Sequence, residues 1–445
     1  MLDGLTSELL FYLTALFADL GEFHYVLLRL IPFVLFIELP LYLLIFVGIC
    51  LYLSRGPGGT PMPSADYRPV VSCIITCYSE GDLVRGTVET LLEQLYPGEI
   101  EILAVVDGAS QNGETMRALR RLQATAARYP RRRLKIIPKW QRGGRVSSLN
   151  TGLHLSRGEI IMALDGDTSF DNDMVDMAVA RFRDPTVMAL AGSLRVRNRR
   201  ESLCTRLQAL EYLIAIHAAR IGLAEFNVVN NISGAFGVFR RSVLTTVGGW
   251  DTGSAEDLDL TLRIKRYFGR YRDRRVVFEP RAVGHTDVPG TFRGLLRQRL
   301  RWDGDLFYIY VRKHRAAFSP RILGWPNLLV TIWYGLLFQL VMPFIILLYT
   351  TWVAFTLPLI PILATLILVY TFYLAVTLLF YLLAWLGLSE RKRSDAWLLP
   401  VVLLFPFYNF LLRIWAAVAT LAEILLSSHN DSNMAPWWVL KRSRY

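Results

Sequence analysis

Leu164-Asp165-Gly166-Asp167-Thr168-Ser169 sets two carboxylates one residue apart, with a glycine between them. At the exposed end of a strand, such a pair offers hard oxygen ligands for Mg²⁺ or Mn²⁺, which in turn hold a diphosphate. A solvated Asx turn is the plain alternative. Three further groups stand at wide intervals. Asp107 closes Val105-Val106-Asp107, Glu256-Asp257 opens a helix rich in Arg and Lys, and Gln298-Arg299-Leu300-Arg301-Trp302 lies in an amphipathic stretch. A carboxylate can take a proton from a hydroxyl, an arginine can brace a diphosphate, and an indole face can hold a ring. Each also has a plainer role: a turn residue for Asp107, helix caps for Glu256 and Asp257, an interface aromatic for Trp302.

What could bring these groups together is the alternation around them. Val70 to Thr76, Ile100 to Val106, Leu134 to Pro138 and the run before Asp165 read as short buried strands. Leu83 to Gln94, Thr115 to Arg128 and Val146 to Leu155 read as the helices between them. Alternation of this kind predicts a largely parallel sheet with helices on both faces. Ligands then bind at the carboxyl ends of the strands, where Asp107 and Asp165 both fall. Residues 201–226 are amphipathic, which predicts a helix on a membrane face. Asn231 to Gly237 reads as a Gly-rich turn and Thr291 to Arg312 as another amphipathic helix. His217 and His285 have no neighbours that suggest a metal site.

The 445-residue chain is 53% hydrophobic with a formal charge of +12. Its mean hydropathy is +0.34, too apolar for an ordinary soluble enzyme. Long apolar runs lie at both ends and most charge lies between them. This predicts a membrane protein with a central soluble domain. The basic surplus then points to anionic headgroups and a phosphate-bearing substrate rather than to nucleic acid. The four cysteines include Cys73 and Cys77 in one predicted strand, which fits buried thiols in a reducing cytosol.

Residues 1–22 are either a short span or an interfacial helix. Val26 to Leu53 reads as an anchor rather than a cleaved signal. About 20 residues suffice for a span, and Trp325 to Phe355, Leu359 to Leu386 and Trp397 to Leu426 each have that length. The basic turn Arg391-Lys392-Arg393 is cytoplasmic by the positive-inside rule, and two spans back so is the soluble domain. A simple third span would put Lys441, Arg442 and Arg444 outside. The last stretch therefore bends back, or an interfacial helix has been counted as a span.

The order Asp107, Asp165-x-Asp167, Glu256-Asp257, Gln298-x-x-Arg301-Trp302, then spans, resembles the membrane-bound processive family 2 glycosyltransferases. These make cellulose, chitin, hyaluronan and poly-N-acetylglucosamine. The resemblance implies an α/β, GT-A-type cytoplasmic domain flanked by transmembrane and interfacial helices. It implies that Asp107, Asp165, Thr76, Tyr78, Glu80, Gln298 and Arg301 bind the nucleotide sugar. Asp167, with Asp165, would hold Mg²⁺ or Mn²⁺, and Asp257 would be the general base. Arg301 would serve the departing diphosphate, and Trp302, with Gly234 and Glu256, the acceptor. Where the family often has Gly-Lys, this chain has Gly143-Gly144-Arg145, so Arg145 would make the phosphate contact. The Trp437-Trp438 tail loosely resembles the Trp-x-x-Arg ending of hyaluronan and poly-N-acetylglucosamine synthases. The cyclic di-GMP-binding barrel and the gating loop of bacterial cellulose synthase have no counterpart in the sequence.

The expected division is a membrane segment over 1–55, a transferase domain over 68–285 and an interfacial region over 286–323. Spans follow over 324–428 and a basic tail over 429–445. The expected function is an inverting polymerisation of a UDP-sugar into a β-linked exopolysaccharide, exported through the spans in a bacterial-type inner membrane. Partners would be the UDP-sugar, the growing chain, the bilayer and accessory export subunits. Single-sugar transfer to a lipid and a scaffold on a transferase fold are the alternatives. The intact acidic set argues against the scaffold and the Gln-x-x-Arg-Trp helix against the lipid transferase. Neither sugar nor linkage is readable.

Overall fold

The computed structural model describes residues 33–56, 62–64, 66–251 and 254–427. Residues 1–22 and the Trp437-Trp438 tail lie outside the described residues. Eight strands form one sheet: β1 Val71–Cys77, β2 Ile100–Asp107, β3 Arg132–Lys139, β4 Ile160–Asp165, β5 Ser169–Phe170, β6 Val187–Val196, β7 Phe236–Arg240 and β8 Arg275–Thr286. Their order is β3-β2-β1-β4-β7-β6-β8-β5. Six helices position the site or anchor it: α1 Leu39–Arg55, α2 Gly144–Leu155, α3 Ala219–Glu225, α4 Glu256–Lys265, α5 Phe292–Phe307 and α6 Phe405–Leu426.

The first half of the sheet follows the predicted alternation. β3, β2, β1 and β4 run parallel. Every residue of β1 and β2 is buried, which is why both read as continuous apolar runs. Register then levels their ends. Thr76 pairs with Val105 on one side and Asp165 on the other, and Asp107 pairs with Lys139.

The second half departs from it. β7 lies antiparallel between β4 and β6, and short β5 runs antiparallel to β8. The predicted turn Asn231 to Gly237 therefore runs into a strand at Phe236. The Phe236 ring crosses Gly192 of β6, where an added Cβ would lie 2.1 Å from a ring carbon. A strand that packs a phenylalanine over a glycine shows no alternation for sequence reading to find.

Residues 203–225 are helical but are not a surface helix. The His217 Nδ1 meets Ser193 Oγ of β6 at 2.9 Å. On the other side α3 crosses α1 where Gly48 faces Gly222, and a Cβ on Gly48 would lie 2.2 Å from the Gly222 carbonyl oxygen. Arg55 at the end of α1 pairs with Glu225 at 2.6 Å. The segment is enclosed between sheet and anchor, which explains why its polar Gln208, His217 and Arg220 are buried.

Among the described residues, four helices are long and apolar enough to cross a membrane: Val34–Arg55, Trp325–Thr356, Ile362–Leu388 and Phe405–Leu426. The basic turn between the last two returns to the α/β domain. Arg391 Nη2 donates to both Asp171 oxygens at 2.7 and 2.5 Å, and Arg195 pairs with Asp395 at 2.8 Å. α6 packs along α5: Trp415 Nε1 donates to the Leu296 carbonyl at 2.7 Å, and Arg312, just past α5, reaches Glu423 at 2.7 Å.

Candidate active site

The strand ends β1, β2 and β4 present Thr76, Asp107 and Asp165 on one rim. Arg145, on the first turn of α2, joins this rim to the acidic start of α4. Its Nη1 donates to Thr76 Oγ1 at 3.0 Å and also to Asp165 Oδ1. Its Nε donates to Glu256 Oε1 at 2.5 Å and its Nη2 to the Gly234 carbonyl at 2.7 Å. Burial disfavours the Arg145 charge, but Asp165 and Glu256 outweigh it and push the group's pKa up. Burial pushes Glu256 up, Arg145 pulls it back, and Asp257 adds to the rise.

Gly234 is the second junction. Its amide donates to Asp257 Oδ2 at 3.0 Å while its carbonyl serves Arg145. Asn231 Nδ2 adds a bond to the same Asp257 oxygen at 3.2 Å. A Cβ at position 234 would stand 3.2 Å from Glu256 Oε1 and 3.4 Å from Arg145 Nη2, so a side chain would crowd both. Asp257 Oδ1 accepts from the Leu258 amide at 2.7 Å, whereas Glu256 goes to Arg145 instead of capping α4. Ala255, just before them, has φ 52°, a left-handed conformation costly for a residue with a Cβ.

Below this bridge lie Asp167 and Glu80. Burial first, then the field of Asp165, raises Asp167. Burial, reinforced by Asp167 and Asp165, pushes Glu80 up to about 7. Glu80 Oε2 is buried with no hydrogen-bond partner among the described residues. No group of three or more His, Cys, Asp or Glu among the described residues is arranged to hold a metal ion. Mg²⁺ needs only one or two protein carboxylates when substrate phosphates supply other ligands. Asp167, Asp165 and the unpartnered Glu80 oxygen suit that requirement.

Two expected nucleotide residues sit differently. Asp107 has both oxygens engaged: Lys139 and the Gly143 amide on Oδ1, the Gly144 amide on Oδ2, each at 2.8 Å. It therefore braces the turn that delivers Arg145. Tyr78 lies exposed, with the Arg142 guanidinium 4.1 Å from its ring centroid.

α5 carries the Gln298 to Trp302 segment beneath α4. Arg301 and Gln298 make no hydrogen bond or ion pair among the described residues. The Arg299 guanidinium lies 4.8 Å from the Trp302 ring centroid. Ser254, next to the left-handed Ala255, donates to Asp305 Oδ1, and burial pushes Asp305 up to about 7.

The sequence profile described as glycosyltransferase-like family 2 matches residues 69–304, which contain this whole constellation. The chain belongs to that family. It is also similar to two poly-beta-1,6-N-acetyl-D-glucosamine synthases. That of Staphylococcus epidermidis is 30% identical over 234 residues, 52% of this chain and 53% of the relative. That of Staphylococcus aureus strain MSSA476 is 28% identical over 244 residues, 54% of this chain and 56% of the relative. The chain thus spans about half the length of these relatives. In fold it is similar to a solved mannosyltransferase from Pyrobaculum calidifontis, in complex with GDP-Man and Mn²⁺. The TM-score is 0.56 at 23% identity, covering 86% of this chain and 97% of that one. The sheet and its flanking helices are a GT-A-like fold.

Several residues that shape the transferase site were not singled out in its sequence. Asp259 accepts from Arg263, Lys313 and His314 at 2.7, 2.8 and 2.7 Å, tying α4 to the chain that follows α5. The Asp257-Leu258-Asp259 spacing was its only signal. Arg220 is buried with Nη1 unpartnered among the described residues, within the electrostatic reach of Asp257, Tyr212 and Tyr334. Its surroundings come from three separate segments, so no local pattern marks it.

Proposed function

We propose that this transferase is processive and inverting, that it extends a β-linked polysaccharide from a UDP-sugar, and that the product leaves through its apolar helices. The observation that carries the reading is the Arg145 bridge. It links Asp165 on the strand rim to Glu256 and, through Gly234, to Asp257. Donor-side and acceptor-side acids thereby share one buried junction. Asp257 lies on the side of that junction facing Arg220 and Tyr334, a residue of the Trp325–Thr356 helix.

In this reading Asp257 takes the proton of the acceptor hydroxyl as its oxygen attacks the anomeric carbon and UDP departs. Its Oδ2 accepts from Gly234 and Asn231 and its Oδ1 from Leu258 alone, which leaves Oδ1 a second lone pair for that proton. Those three bonds fix the direction in which the base points. Arg301, in no hydrogen bond or ion pair among the described residues and coupled only through space to Asp305, turns to the diphosphate, and Gln298 one turn earlier helps orient it. Thr76 and the Asp107-braced Gly143-Gly144 turn shape the nucleotide side. Mg²⁺ or Mn²⁺ held by Asp167 and Asp165 would supply positive charge for the leaving diphosphate. Trp302 offers one indole face to Arg299 and the other to the acceptor sugar. The transferase domain sits on the cytoplasmic side, as the basic turn at 391–393 docked against it suggests.

The test is incubation of the purified chain with labelled UDP-sugars, UDP-N-acetylglucosamine first, and Mg²⁺ or Mn²⁺. Polymer of high molecular weight is expected. A lipid-extractable product carrying one sugar would replace the processive reading with lipid glycosylation. No turnover with any sugar would leave a scaffold.

A further inference from the structure

We propose that Glu211, Arg299 and Tyr408 form a clamp that positions Trp302, so that the last apolar helix sets where the acceptor sugar rests. The inference rests on reading Trp302 as the acceptor's platform. Three distant segments meet here. Arg299 Nη2 donates to both Glu211 oxygens at 2.7 and 2.8 Å. Tyr408, on the first turn of α6, donates to Glu211 Oε2 at 2.6 Å. The same guanidinium lies over the Trp302 ring.

Helix geometry makes the last contact possible, because residues three apart share a face. Arg299 thus touches both the carboxylate and the indole. The side chains of Arg299 and Glu211 are 13% and 17% exposed, so water screens their pairing little. Arg299 Nε is buried with no partner among the described residues. A pair retained purely for stability would be expected to satisfy that donor. What the arrangement achieves instead is a fixed height and tilt for the indole. α6 is held to the same helix at the Trp415–Leu296 contact and to the turn just past it at Glu423–Arg312. Beside those contacts, Tyr408 gives a shift of α6 a side-chain route through Glu211 and Arg299 to the Trp302 ring. Arg299 and Tyr408 are positioning residues; neither is assigned contact with the donor.

The test uses the full-length protein with UDP-N-acetylglucosamine and a short oligosaccharide primer. Y408F, R299K, the double variant and W302A are compared for primer KM, donor KM, product length and melting temperature. Primer KM in Y408F and R299K should rise, and mean product length fall, by roughly tenfold, the scale expected of a misplaced reactant. Donor KM should stay within about twofold, and the double variant should match the worse single one, as coupled groups do. Unchanged primer KM and length in both single variants, with W302A impaired, would overturn the clamp alone. So would additive defects, or a common fall of all parameters with melting temperature. If W302A uses primer normally, the acceptor reading of Trp302 fails first.

Discussion

In the proposed reading, the donor and acceptor sides of the site are built on different principles. The donor side is a strand rim. Thr76 and Asp165 stand level because β1 and β4 pair in register, and Asp107 ends β2 two residues beyond the partner of Thr76, so the sheet's ladder sets where all three fall. The acceptor side is carried by helices and tied by side chains. Asp257 is aimed by Gly234 and Asn231, and Trp302 by a chain of charges running through Glu211 to α6. A register tolerates the loss of one side chain; a relay of side-chain hydrogen bonds and one ion pair does not. Substitutions should therefore act locally on the first side and spread on the second.

The sharpest contrast is between two aspartates. Asp257→Asn should cut transfer about a thousandfold, the scale of losing a general base. UDP affinity, read by calorimetry, should stay nearly unchanged. Loss of nucleotide binding in that variant would place Asp257 on the donor side instead. Asp167→Asn should reverse the pattern, weakening metal-dependent UDP binding by about a hundredfold. A metal titration indistinguishable from the parent's would remove it as a ligand.

Arg145 is where the two sides meet, so its replacement should show both behaviours. An ammonium is a point charge and cannot serve Thr76, Asp165, Glu256 and the Gly234 carbonyl together. Arg145→Lys should lower kcat by roughly tenfold while raising donor KM as well. An effect on donor KM alone would make the bridge incidental.

The smallest effect concerns Asp305, pushed up by burial to about 7. Between the ordinary carboxylate value near 4 and that figure, the folded protein keeps a proton that the unfolded chain loses. Stability falls as pH rises across that window and levels off above it. Asp305→Asn should flatten this slope, a difference of a few kcal/mol at most. Melting curves in detergent from pH 4.5 to 8 would show it; parallel slopes for parent and variant would exclude it.

The same contrast explains what could be read in advance. The rim was legible because each acid ends a buried apolar run, and the apolar helices were legible from hydropathy. The antiparallel strands β5 and β7 were not: one is two residues long and the other begins inside a glycine-rich loop. The sequence predicts a phosphate contact for Arg145; in the structure four of its five N–H donors go to Asp165, Glu256, Thr76 and the Gly234 carbonyl. Glu211 and Tyr408 stand 197 residues apart, a distance that no local periodicity spans.

The facing glycines at positions 48 and 222 have a mechanical corollary. With no side chain between two backbones, the anchor and the catalytic body have no cushion to slide on and behave as a single lever. A bilayer that thins or thickens would tilt α1, and that tilt would reach the sheet undamped. Wedging an alanine into the crossing would force the two backbones apart and loosen this joint.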